Sequence, residues 1–162
     1  MDKQKLIQDA GQLGPFDPDA AEEYFRISDD LVRKLNTRLT QRSDLQDILG
    51  GASIELMKDN HANHARFISS ILKNFNPEVL TETILWVFRA YRSRGFASTY
   101  WAMQLNAWII ILQEDLSEKS FAQIFPLYEW MQVNIPLFEK ITSDIFLEKG
   151  IEPSEGPKKT FG

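Results

Sequence analysis

From Asp17 to Ile145 the apolar residues recur every third or fourth position, and no stretch alternates with period two for the length of a strand. That periodicity restricts the chain to helices packed on helices. Punctuation in the sequence marks where they begin. Asp17-Pro18 and Asn76-Pro77 each pair an N-cap residue with a proline at the first helical position, where its missing N–H costs nothing. Ser43 or Asp44, Ser98 and Ser117 supply three further starts. A short helix from Asp2 to Gln12 precedes Gly14-Pro15, and Gly95 is placed to end the helix that opens at Asn76.

Two places leave the helix count open. Gly50-Gly51 interrupts a pattern running from Leu45 to Lys73, and marks either a break or a point where another backbone packs closely. Pro126 and Pro136 fall inside the last long pattern, from Ser117 to Ile145, and each predicts a kink or a split. The expectation is an all-α domain of five or six helices over 1–149, as an antiparallel bundle or a globin-like arrangement. Over 150–162 the composition turns to Glu, Pro, Ser, Gly and Lys, which predicts a disordered tail.

The chain has enough material for one core: 162 residues, 43% of them hydrophobic, with eleven phenylalanines, four tyrosines and four tryptophans. Three of the tryptophans, Trp86, Trp101 and Trp108, belong to the helix pair that meets at Arg94-Gly95-Phe96. The second of these helices is apolar all round at Trp108-Ile109-Ile110-Ile111-Leu112, so it is either central or carries a second buried face. Covering such a face by two-fold pairing predicts a homodimer, with Ile109, Ile110 and Ile111 at its interface.

Several function classes lose their support at once. There is no cysteine, hence no thiol nucleophile, disulfide or cysteine-ligated metal. No Gly-x-Ser-x-Gly elbow, dinucleotide fingerprint or phosphate loop is present. The net charge of −5 gives no general attraction to nucleic acid or anionic lipid. One basic cluster, Arg89, Arg92 and Arg94, suits a helix C-terminus, with an anion contact as the alternative. The longest apolar run, Ala107 to Leu112, is far short of the roughly 20 residues of a membrane span. No signal-peptide pattern opens the sequence, so a cytoplasmic, non-enzymatic protein is expected.

The two histidines share one helix, in Asp59-Asn60-His61-Ala62-Asn63-His64. Spacing puts Met57, Asn60, His64, Phe67 and Ile71 on one inward line, and leaves His61 on the polar face. Neither a zincin motif nor a Glu-x-x-His pair is present, so no metal site is expected. A satisfied buried network, a ligand contact and a haem ligand remain as readings of Asn60 and His64. Should a pocket open beside them, its lining would be Phe67, Trp86, Phe88, Tyr91, Trp101 and Trp108.

The segment from His64 to Phe138 resembles helical modules of bacterial signalling proteins. The features that carry the likeness are His64-Ala-Arg-Phe-Ile, then Trp86 in a helix ending Arg92-Ser-Arg-Gly95, then an apolar helix. It is similar to the bundle that accompanies B12-binding domains, and to the globin-like domains of stress-signalling scaffolds that bind no haem. The Asp-x-His-x-x-Gly loop and the Trp-x-x-x-Glu-His pattern of cobalamin binders are both missing. What the resemblance implies is a sensory or regulatory module acting through protein partners. The alternative is a carrier of a tetrapyrrole or other apolar cofactor, held by His64 and the aromatic seam.

Overall fold

The structure is a computed structural model and describes residues 2–149, with side chains through Ser143. The tail expected over 150–162 lies outside the described residues. Among those described there are eight helices and no strand: α1 (Asp2–Ala10), α2 (Pro18–Thr40), α3 (Leu45–Leu49), α4 (Ile54–Lys73), α5 (Pro77–Arg92), α6 (Ser98–Asp115), α7 (Glu118–Val133) and α8 (Ile135–Lys149). The count exceeds the expected five or six because both open places are breaks. Gly50 and Gly51 separate α3 from α4, and Asn134 separates α7 from α8, with Pro136 in the first turn of α8. Pro126 lies within α7, which continues through it.

The caps explain most of the starts. Asp17 accepts from the Asp19 N–H, Asn76 from those of Glu78 and Val79, Ser53 from that of Leu56 and Ser117 from that of Ser120. Two expected caps differ. Ser98 is the first residue of α6 and Ala97 holds its cap position, without a side-chain bond. Asp44 caps α3 by position only, because its carboxylate is taken by a bidentate pair with Arg42.

The Gly50-Gly51 break is also a crossing of backbones. Gly51 N–H donates to Gly95 O at 3.0 Å, which ties the α3–α4 loop to the α5–α6 loop. Gly50 has φ of 65° and Gly95 φ of 104°, a region that favours glycine. A Cβ on Gly95 would lie 2.9 Å from the Gly51 carbonyl carbon, so only glycine permits the approach.

Helix α2 packs against α4, α6 and α7, while α5 packs against α1 and α8. The core between these groups holds Tyr24, Tyr100, Trp108, Tyr128 and Phe138, all fully buried. Helix α6 is central. Tyr100, Trp101, Gln104, Leu105, Ala107, Trp108, Ile111 and Leu112 are buried around most of its circumference. Its outward strip, Thr99, Ala102, Asn106, Ile110 and Gln113, is uncharged until the last turn, where Glu114 is exposed on the same side. Ile111, expected at an interface, is therefore in the core, Ile109 is half-buried, and Ile110 is 36% exposed. The reason is rotational: at 100° per residue, Ile111 returns to the side shared by Trp108 and Leu112. No helix among the described residues is long and apolar enough to cross a membrane.

Candidate functional site

The site is built outward from α4. Asn60 and His61 are buried on it, and His64 lies one turn further along. His61 corrects the sequence reading, which left it on a polar face. It is fully buried because α4 is covered on two sides, by α2 and by α6. Its Nδ1 donates to Asn36 Oδ1 on α2 at 2.6 Å, and its Nε2 sits 3.0 Å from the Tyr100 hydroxyl on α6. That hydroxyl donates to Asn60 Oδ1 at 2.7 Å, where Gln104 Nε2 also approaches at 3.5 Å. Tyr100 thus serves two acceptors with one proton, and it is the pivot of the network.

A second chain of hydrogen bonds reaches His64. Its Nε2 lies 2.8 Å from the Tyr128 hydroxyl on α7, and that oxygen lies 2.7 Å from the Tyr24 hydroxyl on α2. The register of these two helices is held nearby. Glu23 accepts from the Ser117 N–H at 2.7 Å and from the Ser117 and Ser120 hydroxyls at 2.9 and 2.7 Å. Burial works to raise the Glu23 pKa, but these bonds and Arg26 hold it below the ordinary carboxylate value.

Burial pushes both histidines down to about 3, and His64 adds to the effect on His61, so both are neutral near pH 7. Burial raises Tyr24, Tyr100 and Tyr128, which keep their protons over the same range. His64 retains some accessible surface although protein surrounds it. That surface lines a cavity.

The cavity has a volume of about 130 Å³ and is walled by five helices. Phe67 comes from α4, Trp86, Phe88 and Tyr91 from α5, Trp101 and Leu105 from α6, Met131 from α7 and Phe138 from α8. Its polar lining is Asn60, Asn63, His64, Thr83 and Gln104, with no charged residue. Asn63, His64, Trp86 and Val87 keep partial exposure, which places the mouth between α4 and α5. There Asn63 Nδ2 reaches the Tyr91 hydroxyl at 3.4 Å, and Arg66 bonds Asn63 from outside.

No family model, curated protein or solved structure matches the chain. Its site is therefore read from its own geometry.

Asn60, His64, Phe67, Trp86, Phe88, Tyr91 and Trp101 all line the one cavity. Trp108 does not. It lies behind His64, its ring stacked at 4.8 Å between centroids, and so backs the wall. Sequence reasoning missed Asn63, Thr83, Ile84, Val87, Gln104, Leu105, Met131 and Phe138. Two residues of the basic cluster contact the protein itself: Arg92 donates to the Ser143 hydroxyl at 2.8 Å, and the exposed Arg94 lies over the Tyr91 ring. Among the described residues no group of three His, Asp or Glu side chains could hold a metal ion.

Proposed function

We propose that this chain is a cytoplasmic, non-enzymatic regulatory module that senses a small apolar molecule and responds through association with protein partners, a second copy of itself among them. The observation that carries this reading is the cavity. Its walls come from α4, α5, α6, α7 and α8, so an occupant touches every helix whose packing would have to change. Its size suits the role, since an apolar cavity of about 150 Å³ in a protein interior is known to take up benzene. Asn60, Asn63, His64 and Gln104 are tied to one another or to Tyr91, Tyr100, Tyr128 and Arg66, which fits recognition better than proton transfer.

The output surface is read on α6. Thr99, Ala102, Asn106, Ile110 and Gln113 form a strip, closed at its end by Glu114, on the same helix that presents Trp101 and Leu105 to the cavity. A shift of α6 by its inner face would move this strip. Both the eight-helix packing, which we read as globin-like, and the likeness to stress-signalling sensor domains are in keeping with that arrangement. The tetrapyrrole alternative is weakened by volume, because a porphyrin or corrin is several times larger than this space.

Titration with toluene, followed by tryptophan fluorescence and sedimentation velocity, tests the proposal. One toluene per chain, a raised melting temperature and a shifted monomer–dimer equilibrium are expected. Saturable binding with an unchanged association state would remove the regulatory reading. Tight uptake of haem, with a spectrum altered by His64→Ala, would favour the carrier.

A further inference from the structure

We infer that the occupant of the cavity is a small neutral molecule, largely apolar, bearing a hydrogen-bond acceptor such as an aldehyde or ketone oxygen to which His64 Nδ1–H donates. This inference rests on reading the cavity as a ligand site.

Counting hydroxyl protons leads to it. Tyr24 is fully buried, and its hydroxyl has one partner among the described residues, the Tyr128 hydroxyl at 2.7 Å. The Tyr128 hydroxyl in turn meets His64 Nε2 at 2.8 Å. If Tyr24 donates to Tyr128, and Tyr128 donates to Nε2, both buried hydroxyl protons have acceptors, and the one proton left over is the imidazole's, on the ring nitrogen that keeps accessible surface. Running the chain backwards, from Nε2–H to Tyr128 to Tyr24, strands the Tyr24 proton in the core, where an unmade bond is costly. The forward direction therefore holds, and Nε2 is the acceptor.

A neutral imidazole carries its one proton on the other nitrogen. Nδ1 of His64 is then an N–H donor. It has no hydrogen-bond partner among the described residues, and it is not sealed off as the buried indole nitrogens of Trp108 and Trp130 are. The Tyr91 hydroxyl, which accepts from Asn63, offers a second proton at the mouth. Beside the Thr83 hydroxyl and the amides of Asn60, Asn63 and Gln104, the cavity thus presents these two donors among apolar walls, with no cation in its lining. An acceptor oxygen is welcome there. A carboxylate would be stripped of water without a counter-charge.

The test compares three probes of one shape, toluene, benzaldehyde and benzoate, by isothermal titration of the whole chain. Benzaldehyde is expected to bind about three- to tenfold tighter than toluene, the gain from one net hydrogen bond, with benzoate weakest. In Tyr128→Phe the tautomer is no longer held, and the preference for benzaldehyde should shrink while toluene binding persists. Long-range proton–nitrogen spectra of the unaltered protein give a readout that needs no variant. Nδ1 of His64 is expected to be pyrrole-type and Nε2 pyridine-type. The reverse assignment overturns the inference, as does benzaldehyde binding no better than toluene or benzoate binding best; in each of these cases the cavity stands as a ligand site if toluene binds. Binding of none of the three overturns both the inference and the reading on which it rests.

Discussion

Acidification should destabilise this protein well before its carboxylates titrate. His61 and His64 are held neutral by burial, with pKa values brought down to about 3, whereas in the unfolded chain each titrates near 6.5. Above the unfolded value neither state binds the extra proton, and stability is independent of pH. As pH falls below it the unfolded chain takes up protons that the folded one refuses, so stability is lost progressively down to the folded pKa. Integrating from pH 7 to 5 gives a loss of about 2 kcal/mol per histidine and about 4 kcal/mol for the pair. A domain of ordinary stability, about 5–15 kcal/mol, would lose a large share of it. Glu23 and Asp44, whose pKa values are lowered, contribute stability that disappears only at lower pH, so this window reports mainly on the histidines. Urea unfolding followed by tryptophan fluorescence at half-unit steps is the assay, and His64→Gln should halve the slope. Stability that is flat between pH 7 and 5, with an unchanged denaturant slope, would show that the histidines are solvated and that the site is misdescribed.

Three further outcomes follow from the same structure. Tyr100→Phe removes the pivot between His61 and Asn60, leaving both acceptors short of a donor, and should cost about 1–3 kcal/mol in urea unfolding; no loss would mean the network is not formed. Gly95→Ala puts a Cβ against Gly51 at a φ of 104°, and a destabilisation of about 2 kcal/mol or more should appear as a lower melting temperature. If the chain pairs through the exposed strip of α6, as proposed, Ile110→Lys should shift it to a monomer in sedimentation velocity with an unchanged circular dichroism spectrum; an undisturbed dimer would put the interface elsewhere.

The helix starts were legible because they are local. Asp17-Pro18 and Asn76-Pro77 satisfy backbone donors from two residues away, and the structure places helices behind both. The split between α7 and α8 was harder to see, since apolar spacing runs on through Met131, Ile135 and Phe138, all buried. Periodicity alone does not register a one-residue break. His61 was lost for another reason. A single-stripe reading allows a helix one buried face, but α4 meets Asn36 on one side and Tyr100 on the other. The lining residues Met131 and Phe138 could not be read at all: they reach the cavity from α7 and α8, and their approach to α4 depends on how the helices dock. Seven of the eight expected site residues lie on α4, α5 and the start of α6, where spacing along each helix was enough to bring them to one side.

Whether the cavity beside His64 takes up a ligand is tested most directly by a crystal pressurised with xenon. Xenon is apolar and polarisable, and it enters dry interior cavities without needing a hydrogen bond. A well-occupied xenon site in contact with Phe67, Trp101, Met131 and Phe138 is expected. Xenon bound only at the surface, with those four side chains closed against one another, would contradict it.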